Sequence, residues 1–185
     1  MSSRIKKTAG FTVIELMIVL VVLGILAGLA APAFQSMLQN NKSAALSEDF
    51  VSAVNFARVE AVKRASSVSL CRTTDGGTCA VAGDWATGFL IYVEGSAETS
   101  TSTTIATDGL LKVYPAVDIK GGKIAVTRSG NPVSFIRFTG LGGLARDINA
   151  DAIITTQFNK CKGLYKRVST VKLSGSVTTV RQACS

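Results

Sequence analysis

The side chains that could do chemistry in this chain are four cysteines, scattered carboxylates and a surplus of basic residues. The 185 residues include 20 Lys and Arg, 12 Asp and Glu and no histidine, which gives a formal net charge of +8. Because histidine is absent, Ser-His-Asp and Cys-His catalysis and every His-ligated metal site are excluded. The sequence contains no motif that pairs a nucleophile with a general base, and the Asp and Glu residues are scattered along it. We therefore expect no catalytic residues, no metal and no other cofactor.

The cysteines are Cys71, Cys79, Cys161 and Cys184. No two of them have the C-x-x-C spacing of a zinc site, and their even number favours disulfides in an oxidising compartment. Three pairings are possible, of which proximity in the sequence favours Cys71–Cys79 and Cys161–Cys184. Four free buried thiols are the alternative.

Basic residues gather toward the C-terminal end. The sequence pI near 9.6 permits binding to nucleic acid or anionic lipid without establishing either. Such a cluster could contact phosphates without sequence preference, although only Phe158 and Tyr165 are placed to stack on bases. We favour the interpretation that these basic residues form the solvent-exposed face of a strand. The cluster consists of Lys160, Lys162, Lys166, Arg167, Lys172 and Arg181.

A long apolar run near the N-terminus, Phe11–Ala31, is interrupted only by one threonine, Glu15 and two glycines. As a helix it would extend roughly 31 Å, which is enough to cross a bilayer. A secretory signal has a shorter apolar region, so an uncleaved span is favoured. Because Arg4, Lys6 and Lys7 precede the run, the positive-inside rule places the N-terminus in the cytoplasm and the rest of the chain outside.

Glu15 is an unusual residue for such a span. A carboxylate at the centre of a membrane helix costs roughly 2.5–3.5 kcal/mol on translocon scales. Either its shallow position near the interface makes it tolerable, or a partner neutralises its charge. We favour the partner.

The short basic stub followed by Gly10-Phe11-Thr12-Val13-Ile14-Glu15-Leu16 resembles the class III leader of type IV pilins and type II secretion pseudopilins. Val13 replaces the commoner leucine. The resemblance implies that a prepilin peptidase cuts after Gly10 and N-methylates Phe11. It also implies that Glu15 pairs with the terminal amine of a neighbouring subunit. Since a buried ion pair adds little stability but penalises the loss of one partner, this pair would set axial register.

We expect Phe11 and Glu15 to lie at the start of one helix that extends from about Phe11 to Ala65. Pro32 lies inside it, where a proline kinks a helix or loosens a turn. In the second half, Glu60 and Arg64 form an i,i+4 ion pair. Apolar residues spaced by four, three, four and four form one stripe that is typical of a helix packed on a globular head: Leu46, Phe50, Ala53, Ala57 and Ala61.

After Ala65 the pattern indicates short antiparallel strands in one or two sheets. We expect Gly140–Gly143 to form a turn rather than a phosphate loop, because no helix follows it. The polar segment Gly95–Asp108 is expected to be a surface loop. The expected strands are Ser67–Arg72, Thr87–Val93, Leu110–Tyr114, Lys123–Thr127, Val133–Phe138, Ala152–Cys161, Arg167–Leu173 and Ser176–Arg181.

The head resembles the GspH/FimT branch of minor pilins and pseudopilins. The resemblance rests on Phe56–Arg64 (FARVEAVKR), Gly83–Phe89 (GDWATGF), the turn after Phe138, and Cys161 ahead of a basic strand. It implies an α+β, type IV pilin-like fold, with a long N-terminal helix packed on an antiparallel β-sheet head. Trp85 is then expected to be a half-buried core aromatic.

Within that branch the FimU-like minor pilins belong to a complex at the pilus tip that primes assembly, and we favour this function. FimT-like pilins bind DNA through a C-terminal Gly-Arg-x-Arg element. Here Gly175–Arg181 lacks the first arginine, which weakens the DNA alternative. A type II secretion pseudopilin is the third possibility.

The resemblance also implies the organisation of the chain and its partners. Residues 1–10 would be a cleaved leader, 11–31 the membrane and filament-core half of the helix, 32–66 its amphipathic half, and 67–185 the periplasmic head. The protein would cross the bacterial inner membrane once before entering a pilus at the cell surface. Its expected partners are major and minor pilins, the prepilin peptidase, the inner-membrane assembly platform and, before assembly, membrane lipid.

Overall fold

The structure is a computed structural model that describes residues 10–95, 104–117, 121–145, 149–159, 161, 163 and 165–184. The chain divides into two compact units, Met1–Leu38 and Gln39–Ser185. Helix α1 spans Val13–Arg64, 52 residues, in agreement with the predicted helix, and it continues through Pro32.

Helix α1 ends in a C-terminal motif built on Ala65. Ala65 adopts a left-handed conformation with φ 49°. Its N–H donates to Val62 O and the N–H of Ser66 donates to Ala61 O, each at 3.2 Å. These two bonds are those of a Schellman motif, in which glycine usually occupies the left-handed position. The turn directs the chain from α1 into the first strand.

Nine strands follow in the described residues. They are β1 Val68–Arg72, β2 Phe89–Glu94, β3 Ile105–Tyr114, β4 Gly122–Arg128, β5 Asn131–Pro132, β6 Phe135–Phe138, β7 Ala152–Phe158, β8 Lys166–Val171 and β9 Val177–Gln182, with a short 3₁₀ helix at Trp85–Thr87 between β1 and β2. One sheet has the order β3-β2-β1-β6 and the other β5-β4-β7-β8-β9. Every pair of neighbours is antiparallel. The two-sheet alternative is therefore the right one.

The core of the second unit lies between the second half of α1 and the two sheets. All five residues of the predicted stripe are at most 1% exposed. Phe50 makes edge-on contacts with Trp85 and Phe89, at centroid distances of 5.5 and 4.9 Å. Trp85 is only 1% exposed, so the expectation of a half-buried ring underestimated its burial. The three aromatic rings are buried together in one hydrophobic cluster.

Two boundaries predicted from the sequence are wrong by three or more residues. The segment Gly95–Asp108 is not all loop, because β3 begins at Ile105 and pairs with β2. This strand is at the edge of its sheet, where polar side chains are tolerated and no apolar alternation is required. At the other boundary β7 ends at Phe158, and Cys161 lies in the following turn with its N–H donating to Phe158 O.

The predicted turn at Gly140–Gly143 is present, and it requires glycine for reasons of space. The N–H of Gly142 donates to Thr139 O at 2.8 Å. A Cβ at Gly140 would lie 2.5 Å from the carbonyl carbon of Ala65. The turn therefore packs directly on the end of α1.

Candidate assembly surfaces

The N-terminal part of α1 presents an exposed surface that is apolar except for Glu15. Val13–Ala30 has a mean hydropathy of 2.8 and none of it is buried, and it is long enough to cross a membrane. Phe11 precedes the first turn and is 83% exposed. Gly10 is exposed beside it, whereas the basic residues Arg4, Lys6 and Lys7 lie outside the described residues. An exposed apolar helix of this length requires lipid or other helices around it.

Thr12 and Glu15 form the N-terminal cap of α1. The Glu15 N–H donates to Thr12 Oγ1 at 3.3 Å, and the Leu16 N–H donates to Thr12 O at 3.2 Å. Thr-x-x-Glu at a helix start is the capping-box pattern, a signal that was present in the sequence. The cap positions the Glu15 backbone in the first helical turn, one turn from Phe11. Glu15 is thus exposed at the same end of the helix as the residue expected to carry the terminal amine.

The segment Phe56–Arg64, which forms the end of α1, anchors the helix to the head. Arg58 reaches across to two turns, where its Nε donates to Gly142 O at 2.8 Å and its Nη2 to Ser174 O at 3.3 Å. Glu60 accepts from Arg64 Nε at 2.8 Å and from Lys63 Nζ at 3.3 Å. The hydrogen bond from Arg64 is the largest cause that lowers the pKa of Glu60. Arg58 and Glu60 therefore have structural partners in the same unit.

Asp84 in the Gly83–Phe89 segment joins the two sheets. Its Oδ1 accepts from the N–H of Ala86 at 2.9 Å and from the N–H of Ile124 at 2.8 Å. The first bond caps the 3₁₀ helix that places Trp85 in the core, and the second reaches the start of β4. This family-like motif is accordingly a packing element of the head.

The four cysteines form two disulfides, Cys71–Cys79 and Cys161–Cys184, with Cα–Cα distances of 5.5 and 5.6 Å. This is the pairing that proximity in the sequence favours. The first bridge closes a loop whose conformation depends on Asp75. The carboxylate of Asp75 accepts from the backbone N–H groups of Gly77 and Thr78, and four hydrogen bonds to it hold its pKa well below the usual range.

The described basic residues of the expected DNA-contact cluster, Lys166, Arg167, Lys172 and Arg181, do not share one surface. Arg167 and Arg181 are direct cross-strand partners, and Arg167 contacts Asn40 of α1. Since side chains alternate along a strand, Lys166 projects from the opposite face of the sheet, and Lys172 follows the end of β8. Lys160 and Lys162 lie outside the described residues. Arg167 is 7% exposed, so the reading of a solvated strand face is wrong for this residue.

A buried ion pair in the first sheet had no signal in the sequence. Arg137 Nε donates to Glu94 Oε1 at 3.0 Å, with side chains that are 3% and 1% exposed. Ser69 Oγ also donates to Glu94 Oε1, and the Thr104 N–H donates to Oε2 at 3.1 Å. The carboxylate therefore connects β1, β2 and β6 with the residue that precedes β3.

In the part of the chain that the structure describes, no group of three His, Cys, Asp or Glu residues could hold a metal ion. The surfaces that remain as candidates for function are the exposed apolar half of α1 and the grooves of the head. Both are suited to contact with other chains or with lipid.

An apolar N-terminal helix followed by an amphipathic half packed on antiparallel sheets is the fold of the type IV pilins. Residues 5–31 match the model of the prokaryotic N-terminal methylation motif, and residues 46–176 match the model of the type II transport protein GspH. The chain belongs to the GspH family. This is a family of structural pilins, whose members assemble with other pilins, and the motif together with the apolar helix marks a membrane-anchoring segment.

The fold is similar to that of the type IV minor pilin FimU of Pseudomonas aeruginosa in two crystal forms. The first match has a TM-score of 0.58 and 21% identity, and it covers 78% of this chain and 96% of FimU. The second has a TM-score of 0.52 and 21% identity, with 75% and 96% covered. No curated protein sequence matches the chain significantly.

Proposed function

We propose that the chain is a minor pilin of a type IV pilus that acts in the complex that primes assembly at the pilus tip. The observation that carries this proposal is the exposed apolar helix Val13–Ala30, which directly follows Gly10-Phe11 and carries Glu15 in its first turn. Residues 1–10 are removed as a leader. The remainder comprises the filament-core half 11–31, the amphipathic half 32–66 and the head 67–185.

The pathway of the protein follows from the charge and hydropathy of its N-terminus. The basic leader stays in the cytoplasm while the apolar half of α1 crosses the inner membrane, which places the head in the periplasm. The prepilin peptidase cuts after Gly10 and methylates the amine of Phe11. The assembly platform then transfers the helix from lipid into a bundle of pilin helices, where Glu15 pairs with the amine of a neighbouring Phe11. The two disulfides suit the oxidising periplasm.

The role is supported by the similarity of the fold to that of the type IV minor pilin FimU. Pairing of Glu15 with a neighbour's terminal amine sets the axial register of the two helices rather than their affinity. The reason is that the two charges come into contact, and neutralise each other, at only one axial offset. A subunit of this kind contributes position and contact surfaces to an assembly.

The experiment is expression of the full chain in its host, with mass spectrometry of sheared pili. We expect peptides of the chain in the pilus fraction, a mature terminus of N-methylated Phe11, and loss of piliation when the gene is deleted. Glu15→Gln should retain cleavage but lower the content of the chain in pili, with Glu60→Gln in the amphipathic half of α1 as the charge control. Normal piliation in the deletion strain would refute the role in priming.

A type II secretion pseudopilin is the second candidate, because the family model that covers residues 46–176 describes a type II transport protein. The same helix and the same terminus would serve either filament. The deletion strain separates them, since loss of secreted enzymes with normal pili would favour secretion.

A further inference from the structure

A groove of about 470 Å³ lies between α1 and the β8–β9 hairpin of the head. Its helix wall includes Ser47, Glu48 and Ser52, and its sheet wall includes Arg167, Thr179 and Arg181. The two walls are held together beside it by a chain of hydroxyls. Ser47 Oγ lies 3.5 Å from Ser169 Oγ, which lies 2.7 Å from Thr179 Oγ1. These hydrogen bonds join the helix wall of the groove to its sheet wall.

The two arginines of the groove stand directly opposite each other on β8 and β9. Like charges in this position repel and destabilise a strand pair. Arg167 Nη2 donates to Asn40 Oδ1 at 2.9 Å, but its buried Nε has no hydrogen-bond partner. Among the described residues, neither guanidinium lies within salt-bridge distance of a carboxylate. Burial, and secondly the charge of Arg181, lower the pKa of Arg167, whereas Glu48 raises it.

The charges in the groove leave room for one more anion. Two arginines and one glutamate line it, so one positive charge is uncompensated. A guanidinium pair with hydroxyl donors nearby matches the two oxygens of a carboxylate, and hydrogen bonds between such charged groups are the strong ones.

We propose that this groove receives an aspartate or glutamate side chain from the head of a neighbouring pilin subunit, which inserts between α1 and β9 and pairs with Arg181 and Arg167. The inference rests on the proposed function, because it takes the neighbour to be a subunit of the same filament. The inserted carboxylate relieves the repulsion between the two guanidinium groups. It would thereby fix the lateral orientation of the head, which the contacts of the N-terminal helix alone do not define.

A carboxylate suits this groove better than the phosphates of a nucleic acid. Nucleic acid binding draws on several cations on one open surface. Here Lys166 projects from the opposite face of the sheet, and Lys172 lies beyond the end of β8. Glu48 at the groove would repel a chain of phosphates, whereas a single carboxylate is neutralised by the one charge in excess.

The test compares Arg181→Gln with Lys166→Gln in the full mature chain. Both variants remove one positive charge from the same strand pair, but only Arg181 lines the groove. In detergent micelles, acetate serves as the probe, with inorganic phosphate and a single-stranded oligonucleotide as rivals, and the arginine Nε–H resonances report binding. In cells, the amount of each variant in sheared filaments is measured. Circular dichroism melting checks that both variants fold.

We expect acetate to shift the Arg167 and Arg181 resonances saturably and Arg181→Gln to weaken this binding at least about tenfold, the loss typical of one charged hydrogen bond. Arg181→Gln should also be depleted from filaments, while Lys166→Gln behaves as wild type in both assays.

Three results would overturn the inference. These are no saturable acetate shift, equal incorporation of both variants into filaments, and tight oligonucleotide binding that both substitutions weaken alike. If the wild-type chain is absent from filaments but still binds acetate at the arginines, the proposed function fails and the pilin partner with it, while the carboxylate site itself stands.

Discussion

Removal of the Glu94 carboxylate should strongly destabilise the head, because it breaks a buried ion pair. Glu94 and Arg137 are both nearly inaccessible to solvent, so water cannot replace the lost partner. In Glu94→Gln the guanidinium of Arg137 stays buried without its carboxylate, stacked 4.7 Å from the ring of Phe135. The substitution keeps the side-chain volume, and hence isolates the charge.

The expected cost is about 3–5 kcal/mol, the range for breaking a buried ion pair by removing one partner. Solvent does not weaken the interaction between these charges appreciably, because the two side chains are only 1% and 3% exposed. For a domain of this size each kcal/mol lowers Tm by roughly 2–4 °C, so a loss of about 3 kcal/mol corresponds to roughly 6–12 °C. Replacing both residues, as in Glu94→Leu with Arg137→Met, should recover much of the loss, since no charge is left buried.

The assay is urea denaturation of the full chain in detergent, followed by far-UV circular dichroism and compared at equal m-values. The control is Glu60→Gln, which removes a carboxylate whose partners Lys63 and Arg64 are 69% and 44% exposed. Water can solvate those partners, so the control should change the free energy of unfolding much less. If Glu94→Gln is no more destabilising than Glu60→Gln, or if the double variant is the least stable, the reasoning about the buried pair is wrong.

Three further predictions concern the head. Ala65→Gly should raise stability by roughly 0.5–1 kcal/mol in the same assay, because glycine adopts φ 49° without strain; a loss of stability would contradict this. Hydrogen bonds lower the pKa of Asp75 in the folded state, so its carboxylate stabilises the fold fully above its unfolded pKa near 3.8 and loses this contribution progressively as pH falls below that value. Asp75→Asn should therefore flatten the stability profile below about pH 4. Replacing Cys161 and Cys184 together by serine should cost about 3 kcal/mol, since their bridge spans a separation of 23 residues, and unchanged melting would refute it.

Features encoded by neighbouring residues were predictable from the sequence. The helix was predictable from its long apolar run and from the 3.6-residue period of its second half, and the observed limits Val13–Arg64 lie within two residues of the expected ones. Strands with alternating or apolar residues, such as Lys123–Thr127, were also predictable, because their pattern is likewise local in the sequence. The edge strand β3 was found only in part, because its first residues are polar and owe their conformation to pairing with β2.

The candidate binding groove could not be predicted in this way. Six basic residues lie close together in the sequence, and this proximity suggested a single basic surface patch. Strand alternation and register instead put Arg167 opposite Arg181 and turned Lys166 to the other face. Which strands pair, and against which helix, depends on contacts between distant residues, so the groove exists only in the folded head.

The same division holds for the whole protein. The sequence by itself determined the apolar N-terminal half of α1 and its expected processing site. Hydropathy, the glycine before Phe11 and the spacing to Glu15 are local features that do not depend on the fold of the head. Only the tertiary structure decided that Glu94 meets Arg137, that Asp84 joins the two sheets, and that two arginines face one groove beside α1. These contacts join residues up to 127 positions apart, as between Asn40 and Arg167, and no local pattern encodes them.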